Sequence, residues 1–182
     1  MDEVGRLRND AKKDFATLSG LREGHIMSDV TMSKAPSPRL IIPGLAGLYG
    51  ALAGYAEPLL RFVIGALLFP HGMQKIFYTG MDHVAQGFGQ VGYHPALFWA
   101  WVVALTESVG GPMLAVGLLT RPAAAAVVIF MINAVWVTAQ RGGYFWASGG
   151  CEYAVLIGVV ALFFLIRGGG RLSLDRALGR EF

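Results

Sequence analysis

Ionisable side chains lie inside apolar stretches that are long enough to cross a lipid bilayer. His71 and Lys75 stand near the end of one such stretch, Glu107 stands in the middle of the next, and Glu152 opens the last. A charge in hydrocarbon is costly unless it is paired or lines a cavity, so ionisable residues are rare there and attract a functional hypothesis. The chain must therefore fold so that these groups find partners.

The composition favours an all-α integral membrane protein with one helical domain. Hydrophobic residues make up 54% of the 182 residues, and charged residues only 15%, against about 25% in a typical soluble domain. Four apolar runs predict four transmembrane helices, and hence a four-helix bundle over residues 58–167. The predicted spans cover residues 59–78, 96–118, 122–139 and 153–166.

Three segments flank this predicted bundle. Residues 1–39 are polar and are expected to form either an amphipathic helix on the membrane surface or a disordered cytoplasmic tail. Residues 40–57 are apolar but rich in glycine and interrupted by Pro43, which favours an interfacial or half-inserted segment that ends at Glu57-Pro58. Residues 168–182 are expected to form a second cytoplasmic tail.

The distribution of basic residues predicts the orientation in the membrane. Thirteen of the 15 Lys and Arg residues lie in residues 1–61, in the turn at 119–122 or after residue 166, and only Lys75 and Arg141 lie elsewhere. The positive-inside rule then places both termini in the cytoplasm, with the chain in the plasma (inner) membrane. The lipid bilayer is the expected partner, and a nucleic acid is not, because the basic residues follow a topology pattern.

Several redox chemistries are excluded by composition. The single Cys151 is too few for a disulfide, a Cys-x-x-Cys pair or the cysteine ligands of an iron–sulfur cluster. No haem motif or metal-ligand spacing is visible among the four histidines. An organic cofactor or a partner subunit would have to carry any electrons.

The predicted topology places His71, Lys75 and Glu107 in the outer half of the bundle. His71 and Lys75 are one helical turn apart and share a face, while Glu107 lies on the next span. A carboxylate at that depth requires Lys75 or His71 as a partner, or it will be protonated. These three residues are the candidate catalytic, proton-handling groups, and the alternative is a buried ion pair that only fixes helix packing.

Further polar and aromatic residues are expected at the same level and are candidate ligand-binding residues. Asn133 and Gln140 could instead form hydrogen bonds between helices. Glu152 could cap the fourth helix, and the aromatic residues could form an interfacial belt. The candidate set is Gln74, Asn133, Gln140, Glu152, Trp99 and Trp136. Gly110, Gly111, Ala115 and Ala123–Ala126 are expected to permit close helix packing.

An ordered set of short motifs resembles the DoxX family over roughly residues 58–178. The motifs are His71-Gly72-Met73-Gln74-Lys75, Glu107-Ser108-Val109-Gly110-Gly111, Gly117-Leu118-Leu119-Thr120-Arg121, Gly149-Gly150-Cys151-Glu152-Tyr153 and Gly170-Arg171-Leu172-Ser173-Leu174-Asp175. The resemblance implies a small four-helix membrane protein. The family takes its name from a membrane subunit of a thiosulfate:quinone oxidoreductase.

These observations lead to one functional expectation and two alternatives. The chain is expected to be an oxidoreductase subunit that binds a quinone or a similar lipophilic ligand in the outer half of the bundle, together with other subunits of a complex. His71 and Lys75 would hydrogen-bond the ligand, and Glu107 would exchange the proton. The alternatives are a non-catalytic structural or assembly subunit of a larger membrane complex, and a small transporter.

Overall fold

The computed structural model describes residues 40–180. The expectations for residues 1–39 therefore lie outside the described residues. The chain divides into two units after Leu45. Of the first unit the structure describes residues 40–45, which include a 3-10 turn at Pro43–Leu45.

All regular structure in residues 46–180 is helical, as the apolar periodicity predicted. Two π-helical turns interrupt the α-helices: π turn 1, Lys75–Thr79, continues α1, and π turn 2, Thr106–Gly110, joins α3 to α4. The α-helices are α1 Ala46–Gln74, α2 Met81–Gln90, α3 Ala96–Leu105, α4 Gly111–Val116, α5 Thr120–Gly142, α6 Glu152–Arg167 and α7 Leu174–Ala177.

Three helical stretches are long and apolar enough to cross a membrane. They are Pro43–Thr79, Ala96–Val116 and Thr120–Gly142, which contain or closely match the first three predicted spans. The fourth predicted span corresponds to α6, which has 16 residues and a length of about 24 Å at 1.5 Å per residue. Since a bilayer core is about 30 Å thick, the fourth span stays a prediction.

The predicted break at Glu57-Pro58 is wrong. Helix α1 runs without interruption from Ala46 to Gln74 and contains both Pro58 and Pro70. A proline inside a helix removes one hydrogen bond and crowds the carbonyl group four residues earlier. For Pro58 that carbonyl belongs to Gly54, whose backbone adjusts more readily than that of any other residue. Apolar residues on both sides then continue the helix, as they do in many membrane helices.

Glycines bring α1 unusually close to α4 and π turn 2. A Cβ atom added at Gly65 would lie 2.3 Å from the carbonyl oxygen of Gly111, and one added at Gly72 would lie 2.5 Å from the backbone nitrogen of Ser108. The backbones therefore touch at both places, which is the packing that small residues permit in lipid. The predicted packing roles of Gly111 and Ala115 are confirmed, whereas an added Cβ at Gly110 would meet only its own helix.

The apolar core lies between α1, α4, α5 and α6. Leu68, Leu114, Val127 and Phe164 are fully buried in it. Ala123 and Ala124 are also buried, and α5 packs along α6. The opposite faces of these helices carry exposed Leu, Ile, Val and Phe side chains, as expected for helices whose outer faces contact lipid.

A buried arginine ties three distant segments together at one end of the helices, which we call the Arg61 end. The Arg61 side chain is only 2% exposed. Its Nε donates to the carbonyl of Ala115 at 3.4 Å, and its two terminal nitrogens donate to the carbonyls of Gly169 and Leu172. The charge pattern of the sequence indicates Arg61 only as a topology charge, but in the structure its side chain donates hydrogen bonds to backbone carbonyls between the helices.

Asp175 completes this network from the other side. Its carboxylate is buried and accepts hydrogen bonds from the backbone nitrogens of Leu119 and Thr120, at 2.7 and 2.8 Å, and from the Thr120 hydroxyl at 2.7 Å. The turn before α5 and the segment after α6 therefore meet at the Arg61 end. These are the segments that the charge count assigned to one side of the membrane.

The Asp175 network predicts a loss of stability in acid. Burial alone would raise the pKa of Asp175, but hydrogen bonds from Thr120 and Leu119 and the charge of Arg61 outweigh it and hold the pKa below its ordinary value of 3.8. Because the pKa is lower in the folded state, the stabilisation is complete above about pH 4 and is lost as the pH falls through the folded-state pKa.

Unfolding in detergent, followed by helicity between pH 3 and pH 7, checks this expectation. Asp175→Asn should be less stable than the wild type at pH 7, and the difference should shrink as the pH falls. The control Asp82→Asn removes an exposed carboxylate on α2 and should leave the pH profile unchanged. A constant difference between Asp175→Asn and the wild type across this range would contradict the assignment.

Candidate functional site

The predicted partnership of Glu107 and Lys75 is present as an ion pair. Lys75 Nζ lies 2.6 Å from Glu107 Oε2, and the two side chains are 25% and 5% exposed. Lys75 opens π turn 1 and Glu107 is the second residue of π turn 2, so the pair joins the two places where the helices depart from α geometry. Single π turns inside α-helices occur frequently at functional sites.

His71 contributes to this pair less directly than expected. Its side chain is exposed, while its backbone carbonyl accepts a long 3.5 Å hydrogen bond from Lys75 Nζ. In residues 40–180, no buried side-chain nitrogen or oxygen lacks a hydrogen-bond partner. The Lys75–Glu107 pair is therefore satisfied within the protein, and the roles of His71, Lys75 and Glu107 in proton transfer stay a prediction.

A double-mutant cycle measures how strongly the pair is coupled. Glu107→Gln and Lys75→Met should each destabilise the protein, because each leaves the partner charge uncompensated; a broken buried pair costs about 3–5 kcal/mol. Partial exposure of Lys75 places the expected loss at the lower end of that range. The double variant should lose less than the sum of the two single losses. Additive losses in detergent unfolding would show that the two charges are not coupled.

A separate apolar cavity of about 550 Å³ lies between α2, α3 and α5. Tyr93 donates from its hydroxyl to Asn133 Oδ1 at 2.5 Å, and Asn133 Nδ2 donates to the carbonyl of Ile129 at 2.8 Å. The rings of Phe88, Tyr93 and Trp99 stand edge to face at successive centroid distances of 5.8 Å. The other lining residues include Val84, Val91, Val102, Val103, Thr106, Phe130, Ala134 and Thr138.

The remaining predicted ligand-binding residues lie in different places. Trp99 and Asn133 line the apolar cavity, whereas Trp136 and Gln140 line a neighbouring cavity of about 720 Å³ beside the 90–93 segment. Gln140 hydrogen-bonds the Trp136 carbonyl of its own helix. Glu152 accepts from the backbone nitrogen of Trp146 at 3.2 Å and so fastens the loop before α6. Gln74 is exposed at the end of α1.

The predicted site residues therefore do not all line one cavity, and their common depth in the membrane stays a prediction. The cavity lining includes Asn133 and Trp99 but none of His71, Lys75 and Glu107. The physical reason is α2, a helix that lies between the first two predicted spans and supplies one wall of the cavity. Val84, Phe88 and Val91, spaced by three or four residues, carried the signal of an amphipathic helix there.

A comparison with protein-family models identifies the chain. The model named DoxX matches residues 58–140. This chain belongs to the DoxX family. The match covers α2, α3, α4 and most of α1 and α5. It therefore includes the Lys75–Glu107 pair and all lining residues of the apolar cavity except Arg141.

Two curated relatives resemble this DoxX protein over about two thirds of its length. It is 33% identical over 135 residues to "Uncharacterized membrane protein Rv3486" of Mycobacterium tuberculosis, covering 67% of this chain and 80% of the relative. It is 30% identical over 117 residues to "Putative oxidoreductase CatD" of Bacillus subtilis, covering 64% and 82%. No solved structure matches the chain significantly. The chain is thus a DoxX membrane protein with helices long enough to span the bilayer.

Proposed function

We propose that this protein binds a quinone, or a similarly flat lipophilic ligand, in the apolar cavity and serves as a membrane subunit in oxidoreductase chemistry. The cavity carries the proposal. Its volume of about 550 Å³ lies within the usual range of small-molecule sites, about 300–1,000 Å³. Its lining is mainly aliphatic and aromatic, with Arg141 among its few polar residues, which is the composition of sites for apolar ring systems. The name of the Bacillus relative is consistent with this chemistry.

The polar side chains in the cavity suit a carbonyl-bearing ring. Asn133 uses one N–H on Ile129 and its oxygen on Tyr93, so its second N–H is available to donate to a ligand oxygen. Tyr93 and Trp99 present ring faces and edges to the same space. Asn133 would hold the ligand carbonyl, and the aromatic side chains would pack against the ring.

Glu107 could deliver protons to this cavity from beside it. Reduction of a quinone to a quinol consumes two electrons and two protons. Glu107 follows Thr106, which lines the cavity, and Lys75 bonded to Glu107 would stabilise its deprotonated form, with His71 as the exposed link to solvent. The electrons would come from a partner subunit, since the sequence contains one cysteine and no metal-ligand motif.

The topology proposed for this role keeps four spans, with α6 as the fourth, and both termini in the cytoplasm of a plasma-membrane protein. The Arg61 end would face the cytoplasm, because the basic residues of the turn before α5 and of the chain after α6 gather there. Lys75 and the apolar cavity would then lie toward the outer side. Binding to other subunits of a complex is part of the proposal.

A second candidate is a structural subunit without a ligand. The observation in its favour is that the Lys75–Glu107 pair is already satisfied within the protein, as a purely structural pair would be. The two candidate functions differ in what they predict for the apolar cavity, since a structural subunit has no need to bind a ring system there.

Quinone affinity of cavity variants tests the proposal. Ala134→Phe should fill the cavity and lower the affinity at least about tenfold. Asn133→Leu should lower it several-fold, as expected for the loss of one hydrogen bond worth about 1 kcal/mol. The matched control is Gln140→Leu, an exposed residue on the same helix that does not line this cavity. The measurement is quenching of tryptophan fluorescence by a short-chain quinone in detergent. Equal affinity in all four proteins with unchanged helicity would overturn the proposal.

A further inference from the structure

A third cavity, of about 740 Å³, lies at the Arg61 end and plays no part in the proposed quinone site. One wall comes from α1 and the other from the chain after α6. The α1 wall consists of Ala53, Gly54, Glu57 and Pro58, and the facing wall carries Arg167, Arg171, Arg176 and Arg180. Four guanidinium groups thus border one concave space.

Two carboxylates also border this cavity, but both are committed to other partners. Glu57 Oε1 accepts from Arg167 at 3.1 Å. The Asp175 carboxylate is turned toward the backbone of Leu119 and Thr120. Counting four arginines against Glu57 and Asp175, the lining carries a formal charge of +2.

Three arginines remain available for a ligand. Arg171, Arg176 and Arg180 are exposed, and within the described part of the chain no hydrogen bond or ion pair occupies their guanidinium groups. Each guanidinium presents five N–H donors in a planar fork that matches the oxygens of a phosphate group. Three such groups around one cavity are well suited to a multiply hydrogen-bonded anion.

The position of the cavity indicates where that anion would come from. The candidate span Ala96–Val116 ends and the span Thr120–Gly142 begins at this end of the molecule, so the cavity lies at the level where spans leave the hydrocarbon. Lipid phosphate groups occupy that level. On the α1 wall, Ala53, Gly54 and Pro58 are small or apolar, with open space above Gly54, which leaves room for the glycerol and upper acyl segments of a lipid.

We propose that this arginine cavity is a binding site for a phosphate group, supplied by an anionic phospholipid of the surrounding leaflet. A soluble phosphate would satisfy the same guanidinium groups, and the test separates the two sources. The site is independent of the quinone proposal, because none of its lining residues borders the apolar cavity.

The test measures lipid binding to the full chain, purified in detergent, by native mass spectrometry. The probes are phosphatidylglycerol and phosphatidylcholine with identical acyl chains, because the choline cation is disfavoured by a lining of net positive charge. The wild type should bind phosphatidylglycerol about tenfold more tightly. Each of Arg171→Gln, Arg176→Gln and Arg180→Gln should weaken that binding about fivefold, and the triple variant should lose the preference.

The matched control is Arg141→Gln. It also removes one exposed arginine, but from the far end of α5, about 32 Å from Thr120 at 1.5 Å per residue. Arg141 borders the apolar cavity and does not border the arginine cavity. It should keep the preference for phosphatidylglycerol. Equal binding of both lipids by the wild type, or an undiminished preference in a folded triple variant, would overturn the proposal.

Competition with inorganic phosphate shows whether the bound phosphate group comes from a lipid or from a soluble phosphate. If millimolar phosphate displaces phosphatidylglycerol from the wild type but not from the triple variant, the site recognises the phosphate group itself, and a soluble phosphate can occupy it. If phosphatidylglycerol binds and phosphate does not compete, the lipid is the ligand. Both outcomes support phosphate recognition by these arginines, and binding of neither probe contradicts it.

Discussion

Replacing Arg61 with leucine is expected to destabilise the folded protein by about 3 kcal/mol or more. The substitution would leave the carbonyls of Ala115, Gly169 and Leu172 without their donor, and each unsatisfied buried group costs about 1–3 kcal/mol. It would also remove the positive charge that favours the Asp175 carboxylate. The segment after α6 should then detach from the Arg61 end, and the protein should unfold at lower denaturant concentration or lower temperature.

Unfolding in detergent without anionic lipid measures this effect. Arg171→Leu is the matched control, because Arg171 is exposed and close in sequence to the carbonyls that Arg61 binds, and its effect should stay within about 0.5 kcal/mol. Limited proteolysis gives a second readout, since the segment after residue 167 should become susceptible only in Arg61→Leu. Equal stability of the two variants would mean that the Arg61 hydrogen bonds contribute nothing to folding.

Gly65→Ala is expected to be the second severe substitution, although it adds a single methyl group. The new Cβ would lie 2.3 Å from the Gly111 carbonyl oxygen and 2.7 Å from the Ala115 Cβ. Since backbone cannot move aside as a flexible side chain can, α1 and α4 must separate. Overpacking of this kind costs about 1–3 kcal/mol, and the separation would also loosen the adjacent Leu68 and Leu114 core contacts.

The same substitution at Gly50 is the control, because its expected effect on stability has the opposite sign. An added Cβ there meets nothing within 4 Å, and alanine favours a helix over glycine by about 0.8–1.0 kcal/mol. Gly50→Ala should therefore be neutral or stabilising, while Gly65→Ala should be clearly destabilising in the same unfolding assay. Similar effects of the two variants would show that α1 and α4 are not in backbone contact.

The helical class and most span boundaries could be predicted from the sequence because long apolar runs allow few other structures in a bilayer. The Lys75–Glu107 pair was also predictable, since a buried carboxylate needs a counter-charge and few cations were within reach. Both predictions depend on local pattern and on charge balance, which a single sequence contains.

The parts that could not be predicted depend on contacts between distant segments. Arg61 looks like an ordinary flanking cation until the carbonyls of Gly169 and Leu172 are placed around it. The continuity of α1 through Pro58 depends on how one proline is accommodated, and proline appears both at helix ends and inside membrane helices.

The ligand-binding prediction grouped residues by their depth along the spans, because the sequence does not show which way each side chain points. As a result it combined Asn133, which lines the apolar cavity, with Glu107, which lies beside that cavity and pairs with Lys75. It also did not include Tyr93, whose hydroxyl group donates a hydrogen bond to Asn133.

The most direct test of the proposed function is photolabelling with a quinone that carries a photoreactive group, followed by mass spectrometry of the labelled peptides. The cavity predicts labels within residues 84–106 and 126–141, removed by excess unmodified quinone and lost in Ala134→Phe. Labels spread over lipid-facing side chains such as Phe62, Ile132 and Ile166, without competition, would contradict the assignment of this cavity as a ligand site.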